Sequence, residues 1–170
     1  MNIIITDISL LSVFIVPVVP VGLEIKSEGD NESIDSLSGK FNLIKYPKLR
    51  SIAWSSFFPV NKNYGFLPSG ALLDGWLYIA FLELMKKYRL PIRIIITNSD
   101  KVPIFNSLVS IDTLTYKLDK AGDINYSIKV TEFPYNLIEF LKQNNEIDKY
   151  VTQHNITNFK SVILKENGLL

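Results

Sequence analysis

Over the run Ile124–Phe133, every second residue from Ile124 to Val130 is apolar. Ile124, Tyr126, Ile128 and Val130 alternate with Asn125, Ser127, Lys129 and Thr131. A period of two sends these two sets to opposite faces of a strand. The preceding run Leu108–Leu118 reads as a partner strand, and Asp119-Lys120-Ala121-Gly122-Asp123 between them has turn chemistry. The pair is therefore an antiparallel hairpin with one dry and one wet face. A lone hairpin is marginal in water, so the rest of the chain must supply further strands and a cover for the dry face.

Further strands are readable. Ser51–Phe58 places Ile52, Trp54, Ser56 and Phe58 on one face. Ile92–Thr97 (IRIIIT) and the short alternating Leu23–Lys26 are two more, and Phe41–Lys45 is another, preceded by Gly39 and ended by Pro47. The stretch Ile3–Val21 is long and apolar enough to raise the question of a membrane span. Asp7 within it, Pro17 and Pro20, the lack of a preceding Lys or Arg, and its Ile/Val richness favour a strand over 3–16, bent or split near Asp7. Ser27–Ser33 (SEGDNES) is expected to be a loop, and Pro59–Gly70 a long exposed connection.

The pattern changes to helical over Leu72–Tyr88. Leu73, Trp76, Leu77, Ala80, Leu84 and Tyr88 form a stripe, Asp74 is a candidate N-cap with Ser69 as a competitor, and Pro91 stops the helix. Ile79, Phe81, Leu82 and Met85 widen the apolar surface beyond one stripe, so the helix is wrapped by its own domain or covered by a neighbouring subunit. Short helical spacings after Pro134 predict a helical extension. The expected fold class is α+β: a mainly antiparallel sheet with one packed central helix in a β-rich domain over 1–134, and a helical C-terminal extension over 135–170.

The chemistry-bearing residues are sparse. There is no cysteine and one histidine, His154, in a polar run, which excludes thiolate metal sites and Cys nucleophiles. No phosphate-binding Gly-rich loop or GxSxG elbow occurs. Glu28, Asp30 and Glu32 share a polar loop without the EF-hand pattern and read as solvated. The 18 basic and 17 acidic residues leave a net charge of +1, and Lys86, Lys87 and Arg89 cluster where cations complement a helix C-terminus. The expectation is no catalytic residue, no metal, no cofactor, no nucleic-acid partner and no membrane partner. The aromatic run Trp54, Phe57, Phe58, Tyr64 and Phe66 flanks the long connection; core packing explains most of it, and protein–protein contact is the competing role.

The order of PVVPVGLEIK, an acidic polar loop, GKFNLIKYPKLRSIAWSSFFP, a helix ending KKYRLPIRIIIT and a hairpin ending NYSIKVTEF resembles the N-terminal domain of LysM-carrying hub or baseplate proteins of contractile phage tails, including PBSX-like prophages and phage-tail-like bacteriocins. Gly39, Asn42, Ile44 and Lys45 match that family's G-x-x-N-x-I/L-K strand, and Phe57, Phe58 and Pro59 its Phe-Phe-Pro strand end. The resemblance spans roughly 14–134. It implies a non-enzymatic structural subunit of the virion tail or baseplate, assembled in the bacterial host cytoplasm. Such a subunit links tube or hub to the surrounding baseplate and sheath-initiating proteins, as a symmetric homo-oligomeric ring. The Gly-Asp-(Thr/Ser)-Leu-type opening of a LysM module is missing. The alternative is a cell-wall-binding or accessory lysis or injection module. Trp54, Phe57, Phe58 and Tyr64 are the candidate interface residues.

Overall fold

A computed structural model describes residues 1–8, 10 and 12–133. The anticipated helical extension over 135–170, with His154, lies outside the described residues. Nine strands and one helix follow in the order β1 (Asn2–Thr6), β2 (Val13–Ile15), β3 (Leu23–Lys26), β4 (Glu32–Ser36), β5 (Gly39–Leu43), β6 (Ser51–Phe58), α1 (Gly75–Lys87), β7 (Ile92–Thr97), β8 (Pro103–Leu118) and β9 (Ile124–Glu132) among the described residues. Seven strands form one sheet in the order β2-β1-β7-β8-β9-β6-β3, and β4-β5 form a separate pair. Every pairing is antiparallel. The described residues are therefore a mostly antiparallel β-sheet with a single helix, as the alternation demands.

The N-terminal apolar run is two strands folded back on each other, with Ile4 opposite Ile15 and Thr6 opposite Val13. Asp7 makes the fold-back possible. Its carboxylate accepts from the Ser12 amide at 3.1 Å and its own amide donates to the Ser12 carbonyl at 3.3 Å. A buried polar group placed in a turn is stable because those bonds replace water.

β8 is 16 residues long because it serves two partners. Pro103–Val109 pair with β7 and Val109–Leu118 with β9, the two stretches meeting at Val109, and a bulge between Ile111 and Thr113 interrupts the β9-paired stretch. The extra residue, Asp112, accepts from the Thr131 hydroxyl at 2.6 Å.

The helix covers the dry face. Asp74 caps it, accepting from the Trp76 amide at 3.1 Å. The face it buries is Tyr78, Ile79, Phe81, Leu82, Leu84 and Met85. The stripe read from periodicity is rotated from this: Leu84 is buried, Leu77, Ala80 and Tyr88 are half-buried, and Leu73 and Trp76 are exposed. Gly75 sets the rotation. A Cβ there would lie 2.9 Å from both the Phe58 Cβ and the Pro59 carbonyl oxygen, so only glycine lets the first turn meet the end of β6. The surplus apolar face is thus wrapped by the chain's own sheet.

Aromatic rings run through the centre of this core. Phe58 lies between Tyr126 and Tyr78, stacked at centroid distances of 4.0 and 4.6 Å. Phe14 continues the column to Tyr78 at 5.5 Å and Phe81 at 4.5 Å.

Candidate assembly surface

The polar loop expected over 27–33 is partly strand. Glu32 and Ser33 open β4, which pairs with β5 through Ile34↔Phe41 and Glu32↔Leu43. The turn runs through Ser38, whose amide donates to the Ser36 hydroxyl at 3.3 Å, and Gly39 at φ 125°. β4 leaves from the end of β3, β5 returns to β6, and a bond from the Lys48 amide to the Glu28 carbonyl (2.9 Å) closes the neck. The pair is an arm that prolongs the β3–β6 edge of the sheet.

Every residue of the arm is exposed, yet it is amphipathic. One face carries Ile34, Phe41 and Leu43, with Glu32 opposite Leu43 at its end; the other carries Ser33, Asp35, Lys40 and Asn42, with Asp35 and Lys40 3.7 Å apart. Phe41 is 57% exposed, and Leu37, Ile44 and Tyr46 more so. Exposed ion pairs such as Asp35–Lys40 add little stability, so the apolar face is the arm's main unmet demand. Further exposed apolar residues are Leu72, Leu73 and Trp76 about the start of α1, and Phe66 in the connection before it.

The aromatic candidates divide by strand parity. Trp54 (3% exposed) and Phe58 (0%) belong to the core, which corrects the reading of them as contact residues: their surface is used within the chain. The Trp54 indole donates to the Tyr126 hydroxyl at 3.1 Å. Burial pushes the Tyr126 phenol well above its ordinary value, so it stays protonated. Phe57 and Tyr64 lie half-buried, edge to face with ring centroids 5.9 Å apart. Phe57 also lines two open grooves beside β6, of about 660 and 580 Å³, which share Ser55, Ser56 and Ser127.

Two polar clusters brace these surfaces. At the neck of the arm Arg50 donates to Glu132 from its backbone (3.0 Å) and its guanidinium (2.6 Å), and Ser107 donates to the same carboxylate at 2.9 Å. The Arg50 hydrogen bond holds the Glu132 carboxyl below its usual range, against the opposing effect of burial. The guanidinium also lies 4.8 Å above the Phe105 ring.

In the second cluster Asp123, 3% exposed, accepts from the Val60 amide at 3.1 Å and from Tyr64, and pairs with Lys62 at 3.4 Å. Burial alone would raise its pKa, but hydrogen bonds from Tyr64, Val60 and Lys62 together leave it lowered. Nothing in the sequence separates Asp123 from the other turn residues; only the fold brings Val60, Lys62 and Tyr64 to it. Tyr78 makes a third tie, donating to the Ile15 carbonyl (2.7 Å) and accepting from the Leu72 amide (3.0 Å), with burial raising its phenol to about 12.

Among the described residues no group of three or more His, Cys, Asp or Glu is placed to hold a metal ion. No helix among them is long and apolar enough to cross a membrane.

No family model matches this chain, and no curated protein does. Among solved structures it is similar to a chain of the virion of a native gene transfer agent particle, with 13% identity and a TM-score of 0.45, covering 78% of this chain and 91% of that one. It is likewise similar to a chain in the tail of an empty gene transfer agent particle with C6 symmetry, with 15% identity, a TM-score of 0.46 and the same coverage.

Proposed function

We propose that this chain is a structural, non-enzymatic subunit of a contractile phage-type tail, acting at the baseplate or as a hub adaptor. The observation that carries the proposal is the arm: a hairpin projecting from a well-packed body with Ile34, Phe41 and Leu43 aligned on one bare face. Two short strands gain little stability in isolation, so an apolar face held away from the body is built for burial against another protein. The motif order around Gly39, Asn42, Ile44 and Lys45, which lies in and beside β5, connects that arm to the hub and baseplate resemblance.

In this reading the arm and the exposed Leu72, Leu73 and Trp76 about the start of α1 are separate contact patches on one chain, as head-to-tail contacts in a symmetric ring require. Phe57 and Tyr64 are further contact candidates on the rim of the sheet. The partners are other tail and baseplate proteins. The site of action is the virion tail, with assembly in the bacterial host cytoplasm.

The test is electron microscopy of purified tails carrying a label on this chain. Label at the baseplate end supports the proposal, and intact tails without the chain refute it. Phe41→Asp should yield particles depleted of the subunit.

A further inference from the structure

We propose that residues 59–73 form a strap latched shut by Asp123, and that the closed strap covers the ring of Phe57. The connection begins and ends at one place. The Asn61 amide donates to the Leu73 carbonyl (2.8 Å), the Gly75 amide to the Pro59 carbonyl (2.9 Å), and Val60 bridges Asp74. A loop with its ends joined swings as a unit unless something ties its body down.

The internal bonds of the strap, from the Leu67 amide to the Tyr64 carbonyl and from the Ala71 amide to the Pro68 carbonyl, do not tie it. Apart from the Leu72 amide, which donates to the Tyr78 hydroxyl on α1 near the strap's end, the ties run to the β8–β9 turn: Val60, Lys62 and Tyr64 to the Asp123 carboxylate, and Lys62 to the Ala121 carbonyl. That turn is braced, since the Asp119 amide donates to the Asp123 carbonyl (2.9 Å) and the Asp123 amide to the Asp119 carboxylate (3.0 Å). A carboxylate buried this deeply is stable only while its donors are present, so the strap and the carboxylate hold each other in place.

The latch governs what the outer face of the sheet presents. Tyr64 stands edge-on to Phe57, and Phe66 stacks on Tyr64 at 5.4 Å. Moving the strap removes Tyr64 and Phe66 together and leaves the Phe57 ring bare on β6. This inference concerns the chain alone and does not rest on the assembly reading.

The experiment is limited trypsin digestion of the full chain, combined with hydroxyl-radical footprinting of Phe57. Asp123→Asn should speed cleavage after Lys62 at least tenfold and increase oxidation of Phe57, while cleavage after Lys129, in the centre of the sheet, stays at the wild-type rate. Tyr64→Phe, which deletes one hydroxyl, should accelerate the same cut by a smaller factor. It decides the question if the Asp123 variant does not fold. Wild-type cleavage at Lys62 in both variants, or equal acceleration at Lys62 and Lys129, would overturn the latch.

Discussion

The body of the sheet and its arm follow the same sequence rule with opposite results. In β9, Ile124, Tyr126, Ile128 and Val130 share a face, and all four are buried under α1 and their neighbours. In the arm, Ile34, Phe41 and Leu43 share a face just as regularly, and all three are exposed. Period-two alternation thus specifies that a face is apolar, but not what covers it. In the body the cover lies in the same chain, drawn close by Gly75. In the arm no cover is present among the described residues.

The largest expected effect breaks the body. Phe58→Ala removes the middle ring of the aromatic stack and should cost about 3–5 kcal/mol of unfolding free energy, measured by denaturant titration. A loss below ~1 kcal/mol would mean that the body is no better packed than the arm.

The arm should behave in the opposite way. Phe41→Asp should leave the unfolding free energy of the isolated chain within about 0.5 kcal/mol of wild type. The same change should weaken incorporation into tails by about 2 kcal/mol or more, read as subunit occupancy of purified particles. Normal occupancy would remove the arm from the assembly surface.

A smaller effect separates ring packing from hydrogen bonding inside the body. Trp54→Phe keeps most of the buried area but deletes the donor to the Tyr126 hydroxyl, and should cost about 1 kcal/mol. An unchanged midpoint would show that Tyr126 finds another partner.

The smallest effect lies at the junction of the two regions and is seen through pH. The folded-state pKa of Glu132 is depressed, so its contribution is present above the ordinary carboxylate range and is lost as pH falls through the folded value. Wild-type protein should lose more stability than Glu132→Gln between about pH 7 and about pH 3. Asp123, depressed as well, keeps part of the acid sensitivity in both proteins. Parallel pH profiles would show that the Arg50–Glu132 pair adds nothing at the neck.

Much of the body was legible because its signals are local. The bounds of β6 and β7 agree with the sequence reading, β9 ends at Glu132 where Phe133 was expected, and the Asp74 cap was visible from its position before the apolar run. The rotation of α1 was not legible, since two apolar faces competed and the outcome depended on a close approach between Gly75 and Phe58. β4 was hidden because only Ile34 in Glu32–Ser36 is apolar, so its composition resembles a loop.

Among the candidate site residues, parity had already placed Trp54 and Phe58 on the face shared with Ile52; grouping them with Phe57 and Tyr64 by adjacency obscured this. Asp123 and its donors lie about sixty residues apart in sequence, a separation that no local pattern reports.

The bulge in β8 has a consequence for how this chain tolerates change. Ile111 and Leu114 both point to the helix side, opposite Val130 and Ile128, although they are three positions apart. Asp112 takes up the odd step. Exchanging it for another residue would forfeit one bond to Thr131, a modest change. Deleting it would leave Ile111, Thr113 and Leu114 in regular alternation opposite Val130, Lys129 and Ile128, so Leu114, Tyr116 and Leu118 would keep their phase relative to β9 and only the bulge would be lost. The position is therefore permissive to replacement and to omission, and lineages or libraries that vary this strand can let the identity at 112 drift or drop the residue, losing only the local bend that a bulge gives.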